Sequence, residues 1–543
     1  MKFTILISMT CVLFAVCLAL AGCGAETDSD RMIIRIGNGT EPEGLDPHIV
    51  TGVPEHHILL TLFEGLVRAD TGNLSPTPGV AETWEESEDK LVYTFRLRED
   101  AKWSNGEPLT SKDFLYAWER ILTPALASEY AYMLFPMKNA QAFNEGAIDD
   151  FSLVGAEAPN ERTVRITLEN PTPYFLSLQL HYSWYPVHQA TIEKFGAKED
   201  RISRWTRAGN LVGNGPYVLS RWSPNEIIEM TPNEHYWDAA SLRNDGIHFY
   251  PITDGQTEER MFRNGELHIT SNVPVSKVPV YQAENPEQLR IDPWIGTYFF
   301  RFNTTRPPLD DPRVRRALAM ALDRDTLCDQ VLHAGEMPAP FLTPPGINEY
   351  VPTARVTYDV AAARKLLAEA GYPDGEGFRT VDILYATREK NKTIAEAIQQ
   401  MWKKGLGIDI TLSNQDWKVY LSTTSNKVMD YDIASGGWIG DVVDPINFLE
   451  CFITDNGNNR TGWGNAAYDE YLAKSMAVGD TAQRNNLFDQ AETILIESMP
   501  IIPIYHYTNP FLIDHRIRGF TSNLLGYYAY HKVYLGDGGS GDS

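Results

Sequence analysis

Stretches with a period of two residues and stretches with a helical period alternate along the whole chain, and this interleaving constrains the fold more than any other feature. Leu91-Val-Tyr-Thr-Phe-Arg-Leu97 and Thr163-Val-Arg-Ile-Thr-Leu168 alternate apolar and polar side chains between polar turns, so each predicts a strand. Thr110 with Asp113 resembles a capping box ahead of Phe114, Leu115 and Trp118 on one helical face. Pro312 suits the first position of a helix carrying Val314, Ala317, Leu318, Ala321 and Leu322. Asp359 can cap a helix over 360–370, with Gly371 as its stop and Pro373 just beyond. A helix over 392–404, ended by Gly405, leads into the strand-like Ile408-Asp-Ile-Thr-Leu412. Helices and strands mixed in this way predict α/β lobes rather than a sandwich or a bundle. A chain of 543 residues with 43% apolar content exceeds what one core supports, so two or three lobes are expected.

The N-terminus carries an address. Met1-Lys2 precedes an apolar run from Phe3 to Leu20, which is too short and wrongly flanked for a membrane span and reads as a secretory signal. Leu20-Ala-Gly-Cys23 resembles a bacterial lipobox, and that resemblance implies removal of residues 1–22 and lipidation of Cys23. Each buried methylene of such a lipid contributes roughly 0.8 kcal/mol, and more than one chain makes attachment stable. Residues 23–30 form a polar tether, so folded sequence is expected from Arg31. The expectation is an exported protein of the periplasm or cell envelope that contacts a membrane through lipid on Cys23. No second apolar run of 18 residues occurs, so the body is expected to be soluble. The Gly/Asp/Ser-rich stretch 536–543 reads as a disordered tail.

Loss of the signal removes one of the 47 basic residues and none of the 72 acidic ones, which leaves a net charge of −26. Nucleic-acid binding needs a basic footprint and is disfavoured. Cys11 and Cys17 leave with the signal. For the remaining Cys328 and Cys451 two readings stand: a disulfide formed in an oxidising compartment, or two separate buried thiols. No Gly-x-Ser-x-Gly, His-Glu-x-x-His, Gly-x-x-x-x-Gly-Lys-Ser/Thr or Cys-x-x-Cys motif is present. The neighbours His56 and His57 read as surface or hinge residues rather than metal ligands. No catalytic residue, metal or cofactor is expected.

A series of segments in fixed order resembles one family. It runs from Gly39-Thr-Glu-Pro-Glu-Gly-Leu-Asp-Pro-His48 through Leu62-Phe-Glu-Gly-Leu66 and Pro78-Gly-Val-Ala-Glu-Thr-Trp84 to the stretch Phe95 to Gly106. Asn214-Gly-Pro-Tyr217, Asn233-Glu-His-Tyr-Trp237, Tyr298-Phe-Phe-Arg-Phe-Asn303 and Asp311-Pro-Arg-Val-Arg-Arg-Ala-Leu318 follow. Asn414-Gln-Asp-Trp417, Gly437-Trp438 and Asp441 complete it. The chain resembles the solute-binding proteins of oligopeptide and dipeptide ABC importers, family 5 of the bacterial extracellular solute-binding proteins.

The resemblance implies a two-lobed periplasmic-binding-protein-like fold, of the large class II type, with a domain inserted in the first lobe. Mapped here, lobe I takes 31–63, 189–295 and 510–535, the insert 64–188 and lobe II 296–509. The implied ligand is a short peptide with a free amino terminus, the implied partner a permease in the cytoplasmic membrane, and the implied state a monomer. Asp441 is implied to pair with the peptide's α-amino group. Trp438 and Trp417 would wall side-chain pockets, and Tyr130 would reach the amino terminus from the insert. Val53, Gly436 and Gly437 would offer backbone groups to an extended ligand, with Tyr507 a further contact. The chain departs from the family where cations meet the ligand carboxylate: Leu332, Asn391, Thr424 and Ser435 stand there, and Arg388 or Lys427 are candidate substitutes. The disulfide of enteric relatives falls on Gly296 and Ile439. A same-fold binder of another solute, such as a metal chelate, haem, a cell-wall peptide or an oligosaccharide, is the alternative.

Overall fold

A computed structural model describes residues 31–536; Cys23, the signal, the tether and residues 537–543 lie outside them. The predicted strands form with the expected faces inward. Val92–Leu97 buries Tyr93, Phe95 and Leu97, and Thr163–Thr167 buries Val164 and Ile166. They pair in a four-stranded sheet ordered Ala81–Glu86, Val92–Leu97, Thr163–Thr167, Ala156–Asn160. A second four-stranded sheet runs Ile33–Gly37, Gly246–Tyr250, Ile227–Pro232, Tyr217–Ser223. One apolar cluster joins these two sheets, since Ile34, Ile36 and Phe249 belong to the same buried group as Phe95, Trp103 and Trp118.

The third sheet is larger. Its order is Met337–Pro338, Ile501–Leu512, Leu289–Phe302, Ile433–Ile439, Val381–Ala386, Ile410–Gln415. Separate apolar clusters cover it, one around Phe300, Leu318 and Trp402 and the other around Phe299, Leu449 and Phe488. The molecule is thus a two-lobed α/β protein whose first lobe carries an additional sheet. Strands Leu289–Phe302 and Ile501–Leu512 pair antiparallel from Leu289↔Leu512 to Arg301↔Ile501, with a register shift between Pro293 and Thr297. The expected lobe boundaries at 295/296 and 509/510 fall inside this two-stranded ribbon.

Helix starts follow the sequence chemistry. The Thr110 N–H donates to the Asp113 carboxylate at 2.7 Å before helix Ser111–Leu122. Asp311 accepts from Arg313 N at 2.8 Å with Pro312 first in helix Pro312–Met320, and Asp359 caps Val360–Glu369. The helix expected to stop at Gly405 continues instead from Glu389 to Leu406, and Gly407 ends it in the left-handed conformation, φ 74°. Gly407 suits that role because an added Cβ would meet the Asp374 carbonyl at 2.5 Å. Of the two cysteine readings the structure has the second: Cys328 and Cys451 are buried free thiols in different apolar clusters. His56 and His57 are half-buried rather than surface residues. His56 meets the Tyr527 ring edge-on at 4.7 Å, His57 lies 5.3 Å from Tyr528, and burial holds the His57 pKa down to about 4.

The additional sheet is tied to the first lobe by a buried charge pair. Arg120, on helix Ser111–Leu122, donates to both Asp46 carboxylate oxygens at 2.9 and 2.7 Å, and Trp205 Nε1 donates to Asp46 at 3.2 Å. Burial alone would raise the Asp46 pKa, but Arg120 outweighs it and holds the carboxyl below its ordinary range. Asp46→Ala leaves a guanidinium buried without a counter-charge. We expect a loss of roughly 3–5 kcal/mol in denaturant unfolding, whereas breaking a solvent-exposed pair such as Lys474–Glu470 is expected to leave the unfolding midpoint nearly unchanged.

Candidate functional site

A cavity of about 520 Å³ is walled on one side by Thr51, Val53 and Tyr130 and on the other by the six-stranded sheet. The sheet supplies an open backbone edge. Strand Ile433–Ile439 pairs along its whole length with Leu289–Phe302, but with Val381–Ala386 only at Ile433 and Ala434. From Ser435 onward its second edge has no strand partner among the described residues. Such an edge can take an extended chain as an added strand.

Two glycines on this edge leave room for side chains that a Cβ would displace. A Cβ on Gly436 would lie 2.4 Å from Arg301 Nη2, and one on Gly437 would lie 2.4 Å from the Tyr507 hydroxyl. Both contacts bring polar side chains against main chain inside the cavity. Trp438 and Tyr507 line the same wall, and Val53, first residue of helix Val53–Leu62, faces them at 39% exposure. The Trp417 side chain lies outside what the structure describes.

Asp441 follows the end of the strand. Its N–H donates to Asn447 Oδ1 at 2.9 Å, and Asn447 Oδ1 also accepts from Trp438 Nε1 at 3.4 Å. Three residues on, Asp444 is clamped by the buried Arg484 at 2.8 and 3.1 Å. The loop is therefore rigid where its carboxylate enters the cavity. Among the described residues that carboxylate accepts only from Tyr130 at 3.3 Å and Tyr132 at 3.4 Å, both longer than the ~2.7 Å usual for O–H···O bonds. It has no cationic partner among the described residues. Burial raises its pKa to about 6 against the lowering effect of the two hydroxyls. Glu450 nearby is raised to about 7 by burial and by Asp444 and Asp441. Tyr130 is held in turn by an edge-on contact at 4.5 Å with His181, whose pKa burial lowers to about 3.

Cations stand elsewhere in the wall: Arg301, Arg388 and Arg460 line the cavity. Of the two substitutes named from sequence, Arg388 is in place and Lys427 is exposed. Asn391 and Ser435 do line the cavity, Leu332 is buried in the second-lobe core, and Thr424 is buried beneath Arg460. Tyr132, Asn447, Arg301 and Arg460 were not foreseen as site residues. Arg301 did leave a signal, being the one charge within the aromatic run Tyr298 to Phe302. Arg460, in an Asn-rich loop, left none.

The family model described as "Bacterial extracellular solute-binding proteins, family 5 Middle" matches residues 75–460. The chain belongs to that family. It is 37% identical over 511 residues to the periplasmic oligopeptide-binding protein OppA of Salmonella typhimurium, covering 91% of this chain and 90% of the relative. The Escherichia coli murein tripeptide binding protein MppA superposes with a TM-score of 0.82 at 34% identity, over 93% of this chain and 99% of that one. Haemophilus influenzae OppA in complex with the peptide RPPGFSPFR gives 0.80 at 34% identity, over 93% and 99%. The fold is accordingly the two-lobed periplasmic-binding-protein-like fold, and the family is one of solute-binding proteins.

An ionised Asp441 without a counter-charge destabilises the ligand-free protein. Because its folded pKa lies above the unfolded value, the penalty is full above about pH 6 and vanishes as pH falls towards 4. Asp441→Asn is therefore expected to raise the ligand-free unfolding midpoint at pH 7.5, with the gain disappearing by pH 4, as scanning calorimetry across pH would read. A variant no more stable than the parent at pH 7.5 would show that the carboxylate is already compensated.

Proposed function

We propose that this chain is the substrate-binding component of an ABC importer and captures short peptides by their free amino terminus. The observation that carries the reading is the unpaired Asp441 carboxylate beside an open strand edge in the cavity between the lobes. A peptide ammonium supplies the missing charge. Gly436, Gly437 and, from the opposite side, Val53 supply main-chain groups that bind independently of sequence, as strand addition requires. Trp438, Trp417 and Tyr507 would border the side chains, and Tyr130 would share the amino terminus with Asp441.

The lobes correspond to 31–63, 189–295 and 510–535 against 296–509, with 64–188 as the inserted domain, and they close on the ligand about the ribbon of residues 289–302 and 501–512. Closure is favoured only by contacts that the open form lacks, and an ammonium held between Asp441 of one lobe and Tyr130 of the insert is such a contact. Lipid on Cys23 would hold the monomer at the membrane, where it delivers its cargo to the permease. The relatives' names support peptides, and MppA's extends the range to a murein peptide. An oligosaccharide or another neutral solute would leave Asp441 without a partner.

Calorimetry with paired peptides tests this. Free-amine peptides are expected to bind at least about tenfold more tightly than their N-acetylated forms, and Asp441→Ala is expected to remove most of that difference. Binding should also weaken below about pH 6 as Asp441 protonates. Equal affinity for acetylated and free peptides would contradict the assignment.

A further inference from the structure

The cavity does not stop at Asp441. A smaller chamber of about 60 Å³ continues from it, and Thr51, Val53, Tyr130, Ile439 and Asp441 line both. The chamber therefore opens beside the carboxylate to which the peptide's amino terminus is assigned. Rings from separate parts of the chain build much of its remaining wall: His56 on helix Val53–Leu62, His181 and Tyr182 at the short turn Tyr182–Trp184, and Tyr527 near the C-terminus. They pack in a continuous series. Tyr130 meets His181 edge-on at 4.5 Å, His181 lies against Tyr182 at 4.0 Å, Tyr182 lies 5.8 Å from His56, and His56 meets Tyr527 edge-on at 4.7 Å. Trp294 adds a further ring to the wall.

The wall carries no positive charge among the described residues. Burial lowers the His181 pKa to about 3 and the His57 pKa to about 4 and holds His56 well below its ordinary value, so all three imidazoles are neutral at physiological pH. The wall also offers few free polar atoms. The Tyr182 hydroxyl is committed to the Val50 carbonyl at 3.1 Å, and His56 Nε2 and the Tyr527 hydroxyl are occluded, with no hydrogen-bond partner among the described residues. What faces the chamber is mostly ring and aliphatic carbon. Neutral rings beside a buried carboxylate attract a cation through the negative faces of their π systems, and a carbon surface favours methyl groups over N–H groups.

We infer that the chamber is a cage for an alkylated ammonium, which extends the ligands of this site to peptides methylated on their amino terminus. This rests on the peptide reading above and deepens it. An N-methylated or N,N-dimethylated terminus keeps its positive charge and at least one N–H, so it still donates to Asp441. Its methyl groups replace N–H groups that would otherwise point at carbon. A water-sized group needs about 10–15 Å³ of such a cavity, so the chamber has room for both methyl groups. An acetyl group is similar in size yet removes the charge, which separates fit from electrostatics.

Calorimetry on the whole mature protein tests this with one tetrapeptide carrying a free, N,N-dimethylated or N-acetylated amino terminus. The dimethylated peptide is expected to bind the wild type no more than about threefold more weakly than the free one, whereas acetylation costs about tenfold or more. Leu525 lines the chamber but not the larger cavity, so Leu525→Phe fills it. The variant is expected to bind the free peptide as the wild type does and the dimethylated peptide at least about tenfold more weakly. Tetramethylammonium chloride supplies an arm without a peptide: it should raise the wild-type unfolding midpoint above that in equimolar sodium chloride, and leave that of Leu525→Phe unmoved. Dimethylation that costs the wild type more than about threefold overturns the inference, while the amino-terminal reading still stands on acetylation. A Leu525→Phe protein that unfolds cooperatively and discriminates the free and dimethylated peptides no more than the wild type does also overturns it. Equal affinity for acetylated and free peptides overturns the amino-terminal reading instead, and the cage then stands or falls with the tetramethylammonium shift.

Discussion

The antiparallel ribbon formed by Leu289–Phe302 and Ile501–Leu512 is the element on which the site depends. Its far end, from Thr297, lies at the centre of the six-stranded sheet and carries Arg301 on one strand and Tyr507 on the other. Its near end reaches the first lobe, where Leu512 packs with Leu267 and Val278 and Ile513 bridges to Ile269. Strand Ile433–Ile439 hangs from it by seven paired residues and by little else. One edge of that strand is thereby fixed, and the other is left for a ligand.

Asp441, with Glu450 close by, lines this cavity without a cationic partner among the described residues. Ordinary folding pressure removes such an unpaired charge or pairs it, as it does at Asp46–Arg120 and Asp444–Arg484 in the same molecule. Its persistence in the cavity is best understood as stored complementarity: the stabilisation withheld from the empty protein is available to a ligand that brings an ammonium group. Asn447 and Arg484 keep that arrangement in place, the first by holding the Asp441 N–H and the second by holding Asp444 three residues beyond it.

Much of this was legible in the sequence for identifiable reasons. Strand and helix positions followed because period, caps and Pro or Gly punctuation are local properties, as at Thr110, Asp311 and Asp359. Gly405 misled because two glycines lie two residues apart and only tertiary contacts choose Gly407 as the stop. Asp441, Trp438 and the glycine pair, which line one cavity, were named through the family resemblance, which no composition argument supplies. Arg460 and Tyr132 were not legible, since Arg460 reaches the cavity from a loop and Tyr132 reaches Asp441 from a short helical turn, both distant in sequence from the strand they meet. The cysteines illustrate the remaining limit: spacing along the chain says nothing about whether two thiols share a core.

The central claim is that the cavity is built for a short peptide with a free amino terminus. Native mass spectrometry of the protein as first purified, without refolding, measures this most directly. The account predicts a distribution of bound masses that dissociate as short peptides and react with amine-selective reagents only after release. A single bound mass belonging to a saccharide, a metal chelate or a haem would contradict it.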